Sequence, residues 1–512
     1  MDIIGNKTLN TLLEQQILQN PYKTFLKVES DDRTIETATY KQFAEKVRKL
    51  MTVLDEMGIK KGDKVLLHLP NSMNFMISWF AISGMGAVMV PTNILSAKAE
   101  MNFLVTHSKA IMVITEEEYI EKFTDLNVEI LLSRYKGTKH QDKHLDHLMN
   151  LASTYSRPID INSDDVAAIL YTSGTTSNPK GVMITHANYI YAGEYMSRML
   201  KMTEQDCGLV VLPMFHGNGQ YYLTMPLLTV GGTVAIAEKF SASRYFEQAA
   251  LFEATIGSLF AAPIKMILRR GSGNTCDHQL KKIIFAQSVT EEQLAEFEQT
   301  YHVELSQIYG MTETIGTPLM NPIDGICKNL SIGNPGLGYE VRLVNEHAND
   351  VATGDVGQII VKGEPGRTLM LGYYDDEEAT KKTLQDGWLY TGDNARVGED
   401  GYFYFVDRLK DMVKRAGENI ATSEIETALN QHPQIADSAV VGVDDEIRDV
   451  ALKAFVILKE GAPLTEKEVI SHCQGLLAKF KVPEYIEFID EFPRTSVGKI
   501  QKAKLRDLNK KV

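Results

Sequence analysis

Tyr171-Thr172-Ser173-Gly174-Thr175-Thr176-Ser177-Asn178-Pro179-Lys180-Gly181 is the stretch on which the reading of this chain turns. The apolar run 166–170 (VAAIL) leads into it and 182–185 (VMIT) leads out, and both runs read as strands. Small hydroxylated residues and glycine let backbone N–H groups and hydroxyls crowd around an anion, and Lys180 adds a positive charge. A Walker A loop is excluded, because that motif needs G-x-x-x-x-G-K-[ST] running into a helix. Here the loop joins two strands, so no helix dipole assists. A plain solvated Ser/Thr/Gly turn does not account for so dense a run of hydroxyls ending on lysine.

Outward from the loop, strand and helix patterns alternate. Thr39 ahead of Tyr40-Lys41-Gln42-Phe43 predicts an N-cap with Gln42 closing a capping box, and the helix it starts ends at Gly58. Residues 64–69 (KVLLHL) read as a buried strand, and 111–114, 129–132, 208–212 and 233–237 as further strands, most of them separated by helical pattern. That alternation predicts an α/β protein with layered, mostly parallel sheets. Residues 75–91 (FMISWFAISGMGAVMVP) carry no charge. Their Ser and Gly interruptions and final Pro fit a buried helix running into a core strand better than a membrane span, which needs about 20 predominantly apolar residues. From 331 to 404, short strands and frequent glycine predict a small β-rich subdomain. Beyond Asp407-Arg408-Leu409-Lys410-Asp411 about 100 residues alternate again, enough for a small domain. The expected organisation is a large N-terminal α/β domain (1–406) that includes the β-rich subdomain, a hinge (407–411), and a small mobile α+β C-terminal domain (412–512).

Composition narrows the function classes. The 512 residues are 44% hydrophobic and 23% charged, which excludes collagen-like, mucin-like and largely disordered chains. Fifty-three Lys and Arg against 67 Asp and Glu give a net charge of −14. Nucleic-acid affinity rests on clustered cations releasing counterions, so no nucleic-acid partner is expected. Four scattered cysteines without CxxC or zinc-spaced histidines suggest a reducing compartment. The opening MDIIGNK has no charged segment followed by an apolar one, so no signal peptide is expected; with 75–91 read as a buried helix and strand, no transmembrane segment is expected either, and the expected location is cytoplasmic.

Further strings follow in order: Pro213-Met214-Phe215-His216, Tyr309-Gly310-Met311-Thr312-Glu313-Thr314, Asp386-Gly387-Trp388-Leu389-Tyr390-Thr391-Gly392-Asp393, Asp407-Arg408-Leu409-Lys410-Asp411, Gly417-Glu418-Asn419 and Pro493-Arg494-Thr495-Ser496-Val497-Gly498-Lys499-Ile500. With YTSGTTSNPKG they resemble the motifs of the adenylate-forming superfamily: acyl-CoA synthetases, aryl-CoA ligases, amino-acid adenylation domains and firefly-type luciferases. The resemblance covers nearly the whole chain. It is particularly marked toward bacterial crotonobetaine/carnitine-CoA ligases, in 1–5 (MDIIG), 402–408 (YFYFVDR), 414–420 (KRAGENI), 447–455 (IRDVALKAF) and 478–484 (AKFKVPE).

The resemblance implies ATP, Mg²⁺ and CoA, and a two-step reaction. A carboxylate resists thiol attack because its charge is delocalised and oxide is a poor leaving group. Attaching AMP makes that oxygen a good leaving group and splits one hard step into two feasible ones. The first step brings an anion to the α-phosphorus of ATP, so it needs cations and oriented donors. The family pattern puts Thr172, Ser173, Gly174, Thr175, Thr176 and Lys180 on the pyrophosphate side. It places Tyr309 on adenine, with Gly310 and Met311 beside it, Thr312 at the α-phosphate and Glu313 on Mg²⁺. Asp393 accepts from the ribose hydroxyls with Arg408 nearby. Lys499 neutralises charge between α-phosphate and substrate carboxylate, so Lys499, Thr176 and Glu313 form the expected catalytic set. In the second step the C-terminal domain swings about Lys410, replacing Lys499 by the CoA-facing Gly417, Glu418 and Asn419.

His216, Asn218 and Gly219 are the expected acyl-pocket residues. Amino-acid adenylation domains usually carry Phe-Asp where this chain has Phe215-His216, which favours acyl- or aryl-CoA ligation. The crotonobetaine/carnitine ligases resemble FHID here, whereas this chain has Phe215-His216-Gly217-Asn218 and lacks the acid that would face a quaternary ammonium. Tyr221 and Tyr222 remain as aromatic faces for a cation, and Gly217 and Gly219 leave room for a longer tail. The expected partners are a small carboxylic acid, ATP and CoA, with a homodimer left open. Rival readings are an enzyme loading a carrier-protein phosphopantetheine, a luciferase-like oxygenase, and a nucleotide-binding regulator without chemistry. The retained Lys180, Glu313, Asp393 and Lys499 speak against the last.

Overall fold

The structure is a computed structural model describing residues 2–135, 141–172, 179–271, 276–408, 412–415, 418–445, 449–478, 481–494 and 500–509. They group into two compact units. Met1–Asn329, Pro335–Glu340 and Lys362–Leu389 make the first, and Leu330–Asn334, Val341–Val361 and Tyr390–Val512 the second.

Two large sheets build the first unit, as the alternating pattern predicts. In one, six parallel strands run in the order Glu304–Tyr309, Lys282–Ala286, Ile256–Phe260, Cys207–Val210, Thr233–Ala237, Thr24–Glu29. Antiparallel Leu319–Met320 and Ile35–Thr39 flank them. In the other, Val166–Thr172, Val88–Pro91, Lys64–His68, Ala110–Thr115 and Glu129–Leu132 are parallel neighbours. Strand Lys180–Thr185 then returns antiparallel to Val166–Thr172, and Gly372–Tyr373 adds antiparallel to the returning strand.

Helices connect the parallel strands. Every residue of Met73–Gly84 is buried, and Val88–Pro91 follows it as a core strand. A helix apolar on all sides has no face for water, and Trp79 packs against Tyr189 at 5.1 Å between centroids. Among the described residues no helix is long and apolar enough to cross a membrane. Helix Tyr40–Glu56 carries the expected capping box, Thr39 accepting from the Gln42 N–H and Gln42 from that of Thr39, and Gly58 follows its C-terminus at φ +86°.

The second unit combines short strands at 341–344, 356–361 and 390–397, with Phe403–Arg408 paired to the last of these, and a three-stranded sheet. In that sheet Ile435–Asp445 and Asp449–Leu458 are antiparallel and Tyr485–Phe488 adds parallel. Val440, Leu452, Ala454 and Val456 of the sheet pack with Ile425 and Leu429 of helix Thr422–Asn430 and Val469 and Cys473 of helix Glu466–Leu476. On the other face Ala439, Val441 and Phe455 pack with Phe492 and with Leu505 of helix Lys502–Asn509.

Two buried histidines tie the first unit's stability to pH. His68 bonds through Nδ1 to the Thr92 hydroxyl at 2.8 Å, and burial with the Lys122 ammonium beside it lowers its pKa to about 3. His186 accepts the Leu9 N–H, and burial lowers its pKa to about 4. An unfolded histidine titrates near 6.5, so below that value the unfolded state binds more protons and folding weakens as pH falls. Urea midpoints are expected to drop as pH goes from about 6.5 to about 5, with His68→Gln flattening the drop. A midpoint constant over that interval would contradict the assignment of both rings as neutral.

Candidate active site

Thr172 and Lys180, the ends of the hydroxyl-rich loop, are register partners across the antiparallel pair, so the fold brings together the two residues that bracket it. Ser173, Gly174, Thr175 and Thr176 lie outside the described residues. Tyr171 is anchored at 2.7 Å between its hydroxyl and Nδ1 of His107.

A second piece comes from the end of strand Glu304–Tyr309. Tyr309 is buried, and Gly310 and Met311 lead into the 3₁₀ turn Thr312–Thr314, which carries the half-buried Thr312 and the buried Glu313. Ile315 follows at φ +64°, ψ −62°, with the Gly316 N–H bonded to the Thr314 carbonyl at 2.7 Å. That is a left-handed γ-turn, costly for a β-branched residue by about 1–3 kcal/mol. It is held from several sides. The Thr314 hydroxyl bridges the Met311 N–H and the Gly316 carbonyl, and the Tyr339 hydroxyl donates to Thr314 O at 2.7 Å. Gly310 admits the close approach: a Cβ there would lie 2.7 Å from the Tyr222 hydroxyl and 2.8 Å from the Gly316 carbonyl.

The third piece is absent from the sequence reading. Residues 366–374 run antiparallel along the edge of strand Lys180–Thr185 as a strap. The Asn188 amide donates to Arg367 O and Leu369 O, the Leu371 N–H to Met183 O, and the Tyr374 N–H to Gly181 O. Within the strap the Met370 N–H donates to Glu313 O at 2.9 Å, and the Tyr373 hydroxyl donates to the Glu313 carboxylate, also at 2.9 Å. The Lys180 ammonium sits 4.7 Å from the centroid of the same ring. Burial and the Glu313 charge raise the Tyr373 pKa, which keeps the phenol protonated and donating. Lys180 and Glu313, read separately from sequence, thus meet on Tyr373. The one local signal is Gly372, whose φ of +150° and 2.9 Å approach to Thr380 Cγ2 exclude a side chain.

Around His216 the backbone is clamped by Asn71, which donates to Leu212 O and Ala237 O and accepts the Met214 N–H. His216 is half-buried with its ring 4.2 Å from Phe215. Asn218 and Gly219 open a π-helical segment, Asn218–Thr224, an irregularity frequent at functional sites. The expectation that Gly217 and Gly219 leave room for a tail is corrected. A Cβ on Gly217 would meet the Tyr221 ring at 2.6 Å and one on Gly219 the Met214 sulfur at 2.9 Å, so packing already fills that space.

In the second unit, Asp393 is buried and pairs in register with Arg408, whose backbone alone is described. Asp407 caps helix Thr422–Asn430, accepting the Thr422 N–H and hydroxyl at 2.8 and 2.7 Å. Glu418 and Asn419 lie in a two-stranded ribbon with Val413–Arg415, again as backbone. Lys410, Gly417 and Lys499 lie outside the described residues. The residues on either side of 495–499 are described: Arg494 pairs with Ile500, the Gln501 N–H donates to Pro493 O, and Lys502 reaches Thr422 Oγ1 and Glu426 at 2.7 and 2.8 Å.

Residues 13–374 match the family described as AMP-binding enzyme, and 424–499 the AMP-binding enzyme C-terminal domain. A crotonobetaine/carnitine–CoA ligase of Proteus mirabilis is 36% identical over 99% of this chain and its own full length. ATP-bound MatB from Rhodopseudomonas palustris superposes with TM-score 0.88 at 26% identity, over 98% of this chain and 99% of its own. The anthranilate CoA ligase AuaEII in complex with anthranoyl-AMP gives 0.89 at 25%, over 98% and 97%.

Gly310→Ala is expected to destabilise the protein by about 1–3 kcal/mol, the usual range for overpacking, because one of the two close contacts is a backbone carbonyl. Thermal unfolding reads the loss; an unchanged midpoint would mean that the turn yields freely.

Proposed function

The chain belongs to the AMP-binding enzyme family, and from that membership we propose that it is an ATP- and Mg²⁺-dependent acid–CoA ligase. It activates a carboxylic acid as acyl-AMP and passes the acyl group to CoA, releasing pyrophosphate and then AMP. The observation that carries the reading is the convergence of Lys180 and Glu313 on Tyr373. A cation is thereby offered to phosphate oxygens beside a buried carboxylate. That donor set fits Mg²⁺, which is bound by one or two carboxylates plus substrate phosphates and, once bound, neutralises charge on the phosphates.

In this reading Thr172 to Lys180 hold the pyrophosphate end, with Thr176 in the catalytic set, Thr312 faces the α-phosphate, and Tyr309, Gly310 and Met311 line the adenine. Asp393 and Arg408 keep the ribose role that their motifs imply. The division at 407–411 is a hinge turning at Lys410. It lets 412–512 offer Lys499 for adenylation and Gly417, Glu418 and Asn419 for thioester formation. A cytoplasmic location accords with the sparse cysteines.

For the acid, we take a crotonobetaine- or carnitine-like substrate as the first reading, supported by full-length similarity at about 35% to enzymes of that name. His216 and Asn218 border its pocket. The absence of an acid after His216 favours a second reading, a straight-chain acid with an uncharged tail. AMP release in the presence of CoA, screened across carnitine, crotonobetaine, γ-butyrobetaine, straight-chain and aryl acids, separates them. A phosphopantetheinylated carrier protein in place of CoA tests the carrier-loading alternative, and O₂ uptake the oxygenase. Lys499→Ala is expected to abolish adenylation while leaving thioester formation from pre-made acyl-AMP largely intact; equal loss of both half-reactions would refute the alternating-pose account.

A further inference from the structure

Tyr373 is the side chain on which the candidate site's two opposite charges converge. Its hydroxyl donates to the Glu313 carboxylate at 2.9 Å, and its ring face lies 4.7 Å from the Lys180 ammonium. The residue is pinned on every side. It pairs with Val182, its own N–H donates to Thr380 Oγ1 at 2.8 Å, and the next N–H donates to Gly181 O, beside Lys180. Three residues earlier, the Met370 N–H donates to the backbone carbonyl of Glu313 itself. One strap therefore holds both the strand that carries Lys180 and the turn that carries Glu313.

A phenylalanine would fill the same space, but it would remove the phenol's hydrogen bond to a buried carboxylate. A lysine and a carboxylate placed in one pocket tend to pair directly, which neutralises both. Among the described residues Lys180 has no carboxylate partner; its ammonium rests on the π face, an attraction weaker than an ion pair and easily exchanged for phosphate oxygens. The phenol thus gives Lys180 a partner it can exchange for phosphate oxygens and fixes one oxygen of the Glu313 carboxylate.

We propose that Tyr373 is a positioning residue for adenylation: its hydroxyl orients Glu313 toward the divalent cation, and its ring seats Lys180 for the pyrophosphate end of the nucleotide. The proposal rests on the acid–CoA ligase reading. It divides the side chain into two separable functions, so Tyr373→Phe and Tyr373→Leu have different effects. Removing the hydroxyl alone raises the Mg²⁺ concentration for half-maximal effect by about tenfold, the scale of one lost hydrogen bond to a charged group, and leaves pyrophosphate affinity unchanged. Removing the ring as well also weakens pyrophosphate binding several-fold.

The experiment titrates Mg²⁺ in two assays on the full chain. One is calorimetric binding of α,β-methylene-ATP, which needs no turnover; the other is acid-dependent ATP–pyrophosphate exchange, with the KM for pyrophosphate recorded. Melting temperatures are taken in parallel, and Tyr373→Phe, which deletes one atom, retains the packing. The expected result is a Mg²⁺ shift in Tyr373→Phe and an added pyrophosphate defect in Tyr373→Leu. Both variants with wild-type Mg²⁺ and pyrophosphate dependence, whatever their melting temperatures, would overturn the proposal and leave Tyr373 a packing residue. Wild-type protein that neither binds the analogue nor exchanges pyrophosphate with any acid would overturn the ligase reading, and the proposal with it.

Discussion

One antiparallel return at the border of an otherwise parallel run of strands governs the candidate site. Because Lys180–Thr185 folds back along Val166–Thr172, the hydroxyl-rich loop begins and ends at neighbouring positions, and Lys180 faces Thr172 across the ladder. The returning strand also presents an outer edge, and an open edge takes another strand. Gly372–Tyr373 is that strand, supplied from about 190 positions further along the chain. Its arrival brings the phenol between lysine and carboxylate. The γ-turn at Ile315 lies two residues beyond Glu313, so backbone strain sits beside the carboxylate that meets the strap.

The second unit follows the same logic with other residues. Asp407, in the segment read as a hinge, is occupied in capping helix Thr422–Asn430. The Thr422 hydroxyl that donates to it also accepts from Lys502, which pairs with the half-buried Glu426. Burial raises the Glu426 pKa, and the neighbouring Lys502 ammonium counteracts that. Buried charges persist where each is paired and hydrogen-bonded, and this chain of partners runs from strand Phe403–Arg408 to within three residues of Lys499.

Legibility from sequence followed the range of the signal. The capping box at Thr39 and Gln42, the buried helix at Met73–Gly84 and the strands Glu129–Leu132 and Thr233–Ala237 are local patterns, and they stand where the periodicity puts them. The two strands flanking the loop were likewise visible as apolar runs, whereas their antiparallel pairing comes from the structure. Tyr373 was not visible, because its significance depends on register with a strand about 190 residues away, and nothing in Gly-Tyr-Tyr distinguishes a bridging phenol from a core one. Gly217 and Gly219 misled for a related reason. A missing side chain marks close approach as readily as open space, and only the positions of Tyr221 and Met214 decide between the two.

In the proposed reaction an organic acid and AMP become joined through the acid's own oxygen. Turnover of a substrate acid labelled with ¹⁸O in both carboxylate positions, followed by mass spectrometry of the nucleotide released, tests it most directly. The expected product is AMP carrying a single ¹⁸O on its phosphate. Unlabelled AMP, or label recovered in inorganic phosphate beside ADP, would contradict it.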